Sequence, residues 1–182
     1  MKKTIIITIA LLLGLTFSAS AQQAYSSGSW LVDGQAFYLK TGGDAYADTD
    51  RLNFDLALGK AVSDGMFIGG TFSLASISTD YYDDTEWLIG GFFRYYLGYK
   101  GPGEISSSKP VNPFFGVALK FSNEDSVTLL SFEPSVGVNI LMTESVGLEI
   151  AAKLAFDRYS YSGNSMSGYN LLIGAGFTKF IF

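Results

Sequence analysis

Eight charged side chains recur at alternating positions within otherwise apolar stretches, and they are the residues through which this chain could do chemistry. They are Arg51, Asp55, Glu86, Arg94, Lys120, Glu133, Glu149 and Lys153, with Asp33 and Asp157 at equivalent positions. Cations and carboxylates that face one another either line a path for ions or protons, or pair and fill an interior. Because an unpaired charge cut off from water is costly, we predict an interior network of ion pairs and hydrogen bonds. A charged, open pore is the alternative.

The composition excludes several kinds of catalytic and metal site. The chain has no histidine, so a Ser–His nucleophile, a histidine general base and a histidine-ligated metal are all excluded. It also has no cysteine, which excludes disulfides and thiolate metal sites. Paired carboxylates for glycoside chemistry are compatible with the composition, but nothing in the sequence places two of them in one exposed cleft. We expect no enzyme activity, no cofactor and no metal site.

Eight segments with alternating apolar and polar residues carry these charges. They cover approximately residues 29–39, 50–61, 66–78, 86–97, 113–122, 128–140, 146–157 and 169–182. Successive side chains of a strand point to opposite faces, and nearly every charge lies opposite the apolar stripe. The polar face is rich in Gly, Ala and Ser, which suits a crowded interior, whereas the apolar face carries most of the bulk. The sequence predicts an all-β fold, an eight-stranded antiparallel up-and-down transmembrane β-barrel.

Pairs of aromatic residues support a position in a membrane. Trp30 and Tyr38 are eight residues apart, as are Trp87 and Tyr95. At about 3.3 Å per residue and a strand tilt near 40°, this spacing spans roughly 20 Å along the membrane normal. That length is close to the apolar band of about 25 Å that aromatic girdles border in membrane barrels.

The N-terminus has the organisation of a secretory signal peptide. Lys2 and Lys3 precede an apolar run from Ile5 to Leu15, and an Ala19-Ser20-Ala21 cleavage motif follows. The run is too short to span a bilayer, which takes about twenty residues. We therefore predict cleavage after Ala21 and a barrel domain over residues 22–182. Removing the two lysines takes the Lys+Arg count from 12 to 10 against 17 Asp+Glu, a net charge that argues against nucleic-acid binding.

The last predicted strand ends on aromatic residues. Its outward stripe would include Ile173 and Phe177, and the chain ends with Phe180 and Phe182. A strand edge of this kind invites aggregation unless it is paired, and closing a barrel pairs it. Because Phe177 and Phe180 are three residues apart, we expect a one-residue β-bulge near Thr178 to return both terminal aromatics to the outward face. Without that bulge, Lys179 would lie on the same face as Ile173 and Phe177.

This ending, together with the strand count and the alternation, resembles the small bacterial outer-membrane β-barrel family that includes OmpX-like proteins and the transmembrane domain of OmpA-like proteins. In that family the pair corresponding to Phe180 and Phe182 is the assembly signal read by the barrel-assembly machinery. The resemblance implies an integral outer-membrane protein, in contact with outer-membrane lipid and lipopolysaccharide, and a monomer. No peptidoglycan-binding domain follows the barrel, so a wall-anchoring role is not implied.

An even strand count places both termini on the periplasmic side, and the loops at the other end on the cell surface. Those loops would cover residues 41–49, 79–85, 123–127 and 159–168, and the first two are acidic. We interpret them as solvated loops that offer a site for an extracellular ligand, with a loose divalent-cation site as the alternative. The expected role is structural or in surface interaction. A narrow channel or conduit for ions or small apolar solutes is the alternative function.

Overall fold

The computed structural model describes residues 27–41, 49–79, 83–97, 111–124, 127–143 and 145–181. These residues form eight strands, and each strand is long because its alternating pattern continues without a helical interruption. The strands are β1 (Trp30–Thr41), β2 (Thr49–Ser63), β3 (Met66–Thr79), β4 (Asp83–Tyr96), β5 (Val111–Glu124), β6 (Val127–Leu141), β7 (Val146–Tyr161) and β8 (Asn164–Ile181). Among the described residues no helix is long and apolar enough to cross a bilayer.

Each strand pairs antiparallel with the next, and β8 pairs with β1, so the sheet closes into a barrel. A path that starts at Trp30 and passes from each residue to its partner on the next strand goes once around the barrel and returns to β1. It returns about ten residues further along that strand. With eight strands, this stagger corresponds to a strand tilt of about 40°. Each residue step therefore climbs about 2.5 Å along the barrel axis. The predicted fold, an eight-stranded antiparallel barrel, is confirmed.

The barrel has two distinct ends. The end that carries Trp30 and Ile181 is called the termini end, and the end that carries Thr41 and Asn164 is called the mouth. At the mouth, β7 and β8 join through the two-residue turn Ser162–Gly163, in which both residues have positive φ. That backbone conformation suits a tight hairpin. The loop predicted over residues 159–168 is therefore wrong: β7 and β8 continue through it as paired strands.

The two faces of the wall differ as the alternation predicts. The outward face carries large apolar side chains, among them Leu56, Leu119, Val136 and Ile173, whose exposed fractions lie between 51% and 62%. The inward face carries the buried polar side chains and a core of aromatic and aliphatic residues. This arrangement is the reverse of a soluble domain, in which apolar bulk faces the interior. It matches a wall that is surrounded by lipid.

The predicted bulge in the last strand is wrong. Pairing of β8 with β1 and β7 continues without a register shift from Ile173 to Lys179, and the irregularity in this part of the barrel lies in β2, between Ala61 and Ser63. Phe180 consequently points inward and is fully buried. It packs against Phe67, with ring centroids 5.8 Å apart. The signal peptide, Phe182 and residues 98–110 lie outside the described residues.

Candidate functional site

The interior side chains form three polar clusters at successive heights in the barrel. The lowest, the Arg94 cluster, lies near the termini end. The Arg94 guanidinium donates to Asp33 Oδ2 at 2.8 Å and to both carboxylate oxygens of Glu149 at 2.8 and 3.0 Å. Glu149 also accepts from the Tyr96 hydroxyl at 2.6 Å and from the Asn139 amide at 3.0 Å. This carboxylate is fully buried, and its several donors replace the water that it has lost.

The four charged side chains of the middle group, called here the two-lysine cluster, come from four strands. Asp55 Oδ2 accepts from Lys153 Nζ at 2.6 Å and from Lys120 Nζ at 3.2 Å. Glu133 Oε2 accepts from the same two ammonium groups, at 3.1 and 2.7 Å, and Lys120 also donates to Ser73 Oγ at 2.7 Å. Two cations and two carboxylates thus compensate one another across the lumen. Desolvation makes such charges costly unless they are paired in this way.

The third group, the mouth cluster, is built around Arg51. Its guanidinium lies 3.7 Å from Glu86 Oε2 and 3.6 Å from Asp157 Oδ2, and its Nε donates to Asn53. The Tyr159 hydroxyl donates to Glu86 Oε1 at 3.3 Å. The two ion pairs of Arg51 are longer than a direct N–H···O hydrogen bond. Of the three clusters, the mouth cluster therefore has the longest ion pairs.

Aromatic rings fill the space between the clusters. The rings of Phe92 and Phe114 lie directly over Gly59 and Gly137, where a Cβ atom would approach the ring to 2.6 and 2.7 Å. Phe114 also stacks under the Arg94 guanidinium, 4.7 Å from the ring centroid. The glycines thus make room for bulky side chains in a narrow lumen. The small residues of the polar face and the large rings opposite them are complementary parts of one packed interior.

The residual space inside is small. A cavity of about 50 Å³ lies between the Arg94 cluster and the two-lysine cluster, and Asp55, Arg94 and Lys153 are among its lining residues. A site needs about 10 to 15 Å³ to hold one water molecule, so the cavity has room for a few waters. Among the described residues, no group of three or more acidic side chains has a geometry that could hold a metal ion.

All eight sequence-predicted polar residues point into the barrel, and the structure divides them among the three clusters. Arg94 and Glu149 lie in the lowest, and Arg51 and Glu86 lie in the highest. The middle cluster contains the other four. Sequence reasoning missed Tyr96, because only the charged side chains of the inward face were considered as members of the polar network. Its inward parity with Arg94, two residues earlier, was the available signal.

Tyr159 was also misplaced. The sequence interpretation put it in the surface loop over residues 159–168, whereas the structure places its hydroxyl inside the mouth, on Glu86. Two other tyrosines of the β7–β8 hairpin, Tyr161 and Tyr169, are exposed. A shallow depression of about 340 Å³ lies at the tip of the β7–β8 hairpin. Most of the acidic loop residues, including Asp44, Asp48 and Asp80, lie outside the described residues.

Comparisons with known proteins agree with this geometry. No protein-family model and no curated protein matches the chain. The solved structure of Neisserial surface protein A matches 84% of this chain and 99% of its own, with a TM-score of 0.63 and 14% identity. The outer membrane protein OprG from Pseudomonas aeruginosa matches 88% of this chain and 99% of its own, with a TM-score of 0.55 and 10% identity. The chain therefore has the fold of small outer-membrane barrels, and the resemblance predicted from the sequence is confirmed at that level.

Proposed function

We propose that the protein is an integral barrel of the bacterial outer membrane with a structural or surface-interaction role and a lumen closed by its own side chains. The observation that carries this proposal is the complete pairing of the deep charges. Arg94, Lys120 and Lys153 each contact two carboxylates at 3.2 Å or less. Contacts this short leave no room for a hydrated ion to pass between the partners.

The outer surface supports the membrane location. Trp30 and Tyr95 lie near the termini end, and Tyr38 and Trp87 lie about 20 Å higher along the axis. Apolar side chains cover the wall between these levels. The spacing fits the apolar band of a membrane barrel with its two aromatic girdles. In this proposal both termini face the periplasm, and the signal peptide and barrel-assembly machinery bring the chain there.

The surface-interaction part of the proposal rests on the mouth end. The β7–β8 hairpin presents Tyr161, Met166 and Tyr169 to solvent, with exposed fractions from 40% to 76%. One structural neighbour is named a surface protein. Together with the acidic loops, this paired hairpin gives a platform for an extracellular ligand or for lipopolysaccharide bridged by cations. In this proposal the protein acts as a monomer and without catalysis.

Single-channel conductance of the refolded mature protein in a planar bilayer tests the closed lumen. Unheated protein that migrates as a folded barrel on a gel, and that produces no conductance steps, is the expected result. Stable steps that scale with salt would overturn the closed lumen. Replacement of residues 80–82 by glycines tests the surface role: folding should persist while binding to lipopolysaccharide in the presence of Mg²⁺ is lost.

A narrow conduit is the second candidate, and the cavity beside Arg94 favours it. The described inward residues include six carboxylates and four cations, so any ion path would favour cations by electrostatic attraction. This alternative predicts that Arg94→Ala or Lys120→Ala changes an existing conductance. The closed-lumen proposal predicts silence in the wild-type protein and leaky openings in these variants.

A further inference from the structure

The ring of strands is continuous near the termini end but is interrupted twice near the mouth. Pairing of β4 with β5 ends at Ile89 and Phe121, although β4 continues to Asp83 and β5 to Glu124. Pairing of β8 with β1 ends at Ile173 and Tyr38, although both strands continue toward the mouth. Above these pairs the described strands β5 and β1 run on for three more residues, to Glu124 and to Thr41, without continuing the ladder to β4 and to β8. At about 3.3 Å per residue, each seam is roughly 10 Å long.

The two seams lie on opposite sides of the barrel and divide its mouth into two halves. β1 to β4 stay paired with one another up to Thr41↔Thr49 and Ser78↔Asp83. β5 to β8 stay paired up to Glu124↔Val127 and Tyr161↔Asn164. The mouth is therefore made of two four-stranded sheets, each internally hydrogen-bonded. Below the seams, the backbone joins these sheets into one ring.

The mouth cluster lies at the height of the seams and bridges the two halves. Arg51 on β2 reaches Asp157 on β7 at 3.6 Å, and the Tyr159 hydroxyl on β7 reaches Glu86 on β4 at 3.3 Å. The contact between Asn170 and Asp157, in contrast, stays within the second half. Two contacts in the same cluster thus cross between sheets, and a third of similar chemistry does not.

We infer that the mouth opens by separation of the two four-stranded halves, and that the contacts Arg51–Asp157 and Tyr159–Glu86 form a latch that holds it closed. The latch contacts are 3.3 and 3.6 Å long, whereas the cross-barrel contacts below them, Arg94–Glu149 and Lys153–Asp55, are 2.8 and 2.6 Å long. Longer polar contacts give way to water at lower cost. Opening therefore stops above the two-lysine cluster, where the short ion pairs begin and where β4 pairs with β5 and β8 with β1.

Opening of the latch changes the chemistry of the mouth. Leu88, Leu129 and Leu172 point inward near this level and are buried to 97% or more. Separation of the halves exposes these leucines beside the Arg51 guanidinium, so the mouth becomes an amphipathic surface. The lumen beneath stays closed, because the deep clusters do not depend on the latch.

Distances between spin labels on opposite strands test the latch. The chain has no native cysteine, so labels attach only where cysteine is introduced. The mouth pair Leu52→Cys/Thr128→Cys and the control pair Leu58→Cys/Val136→Cys lie on the same two strands, β2 and β6, at different heights. The distances are measured by pulsed electron–electron double resonance in lipid nanodiscs. In the double variant Asp157→Asn/Tyr159→Phe, the distribution of distances between the mouth labels should broaden and shift to longer values. The control distance should not change.

Asn170→Ala serves as the matched control, because it removes a contact of the same cluster that lies within one half. Under our inference it leaves both distances as in the parent. An unchanged mouth distance in the latch variant would overturn the inference. So would equal broadening at both heights, since opening would then not be confined to the mouth. Heat-modifiable gel mobility verifies folding, and Tyr159→Phe alone replaces the double variant if the latter does not fold.

Discussion

Replacing Arg94 should destabilise the barrel more than any exposed charge change. Arg94→Met leaves Asp33 and Glu149, which are 4% and 0% exposed, without the cation that contacts both at 2.8 Å. Removing one partner from a buried ion pair typically costs 3 to 5 kcal/mol, because the remaining charge is uncompensated. We expect a loss of about 3 to 5 kcal/mol in the free energy of unfolding.

Urea titration of the refolded protein in detergent micelles, followed by tryptophan fluorescence, measures this loss. Two control variants show whether the loss of stability comes from the uncompensated buried charges. Arg158→Met removes an exposed arginine and should cost less than about 1 kcal/mol. The neutral triple variant Asp33→Asn/Arg94→Met/Glu149→Gln removes all three charges and should recover most of the loss, since a buried ion network is often replaceable by uncharged groups.

The reasoning is refuted by either of two results. One is a cost below about 1 kcal/mol for Arg94→Met, which would mean that water reaches the two carboxylates and solvates them. The other is a triple variant no more stable than the single variant, which would mean that the loss came from packing. The Arg94 side chain lies over Phe114, so this second comparison separates charge from packing.

Three further predictions concern the wall and the core. Val136→Arg, near mid-height on the outward face, should impair folding into bilayers by about 2 to 4 kcal/mol, whereas Val62→Arg near the termini end should cost about 0 to 1 kcal/mol; refolding titrations that rank them equally would contradict the assigned depth. Gly90→Ala should cost about 1 to 3 kcal/mol because the added Cβ would collide with the backbone oxygen of Leu119, whereas the Cβ of Gly70→Ala would lie 3.8 Å from its nearest neighbour and this variant should unfold at the parental urea concentration. Phe180→Ala should lower the free energy of unfolding by about 3 to 5 kcal/mol, as expected for a buried aromatic; an effect on assembly rate alone would mean that the residue acts only as a signal.

Alternation predicted most of the fold correctly because it is a local property. In any strand, neighbouring side chains point to opposite faces, so the inward position of Arg51 or Lys120 follows from the residues beside it. The strand count and the antiparallel order follow in turn from the number of alternating segments. Phe180 was the side chain assigned to the wrong face of the barrel wall. It was assigned outward because the family motif was given precedence over the alternation of the strand. Uninterrupted alternation from Leu172 through Thr178 already placed Phe180 inside.

Strand ends were harder to predict than strand faces. The residues from Tyr159 to Gly168 are polar and include two glycines, a composition that indicates a loop. They nevertheless form a paired hairpin, because each strand offers the other a continuous hydrogen-bonding edge and the Ser162–Gly163 turn closes it. Pairing of this kind overrides weak local preference.

The sequence by itself determined that this chain is a barrel with charges inside and apolar bulk outside. Neighbouring side chains of a strand point to opposite faces, so the face of each residue can be inferred from the residues beside it. The tertiary structure alone decided which charges meet. Arg94 and Glu149 are 55 residues apart in sequence and Asp55 and Lys153 are 98 apart, and only the stagger of the closed ring brings each pair to one height. The same stagger places Arg51 opposite Asp157 at the seams, since contact across a barrel depends on closure and tilt rather than on any local pattern.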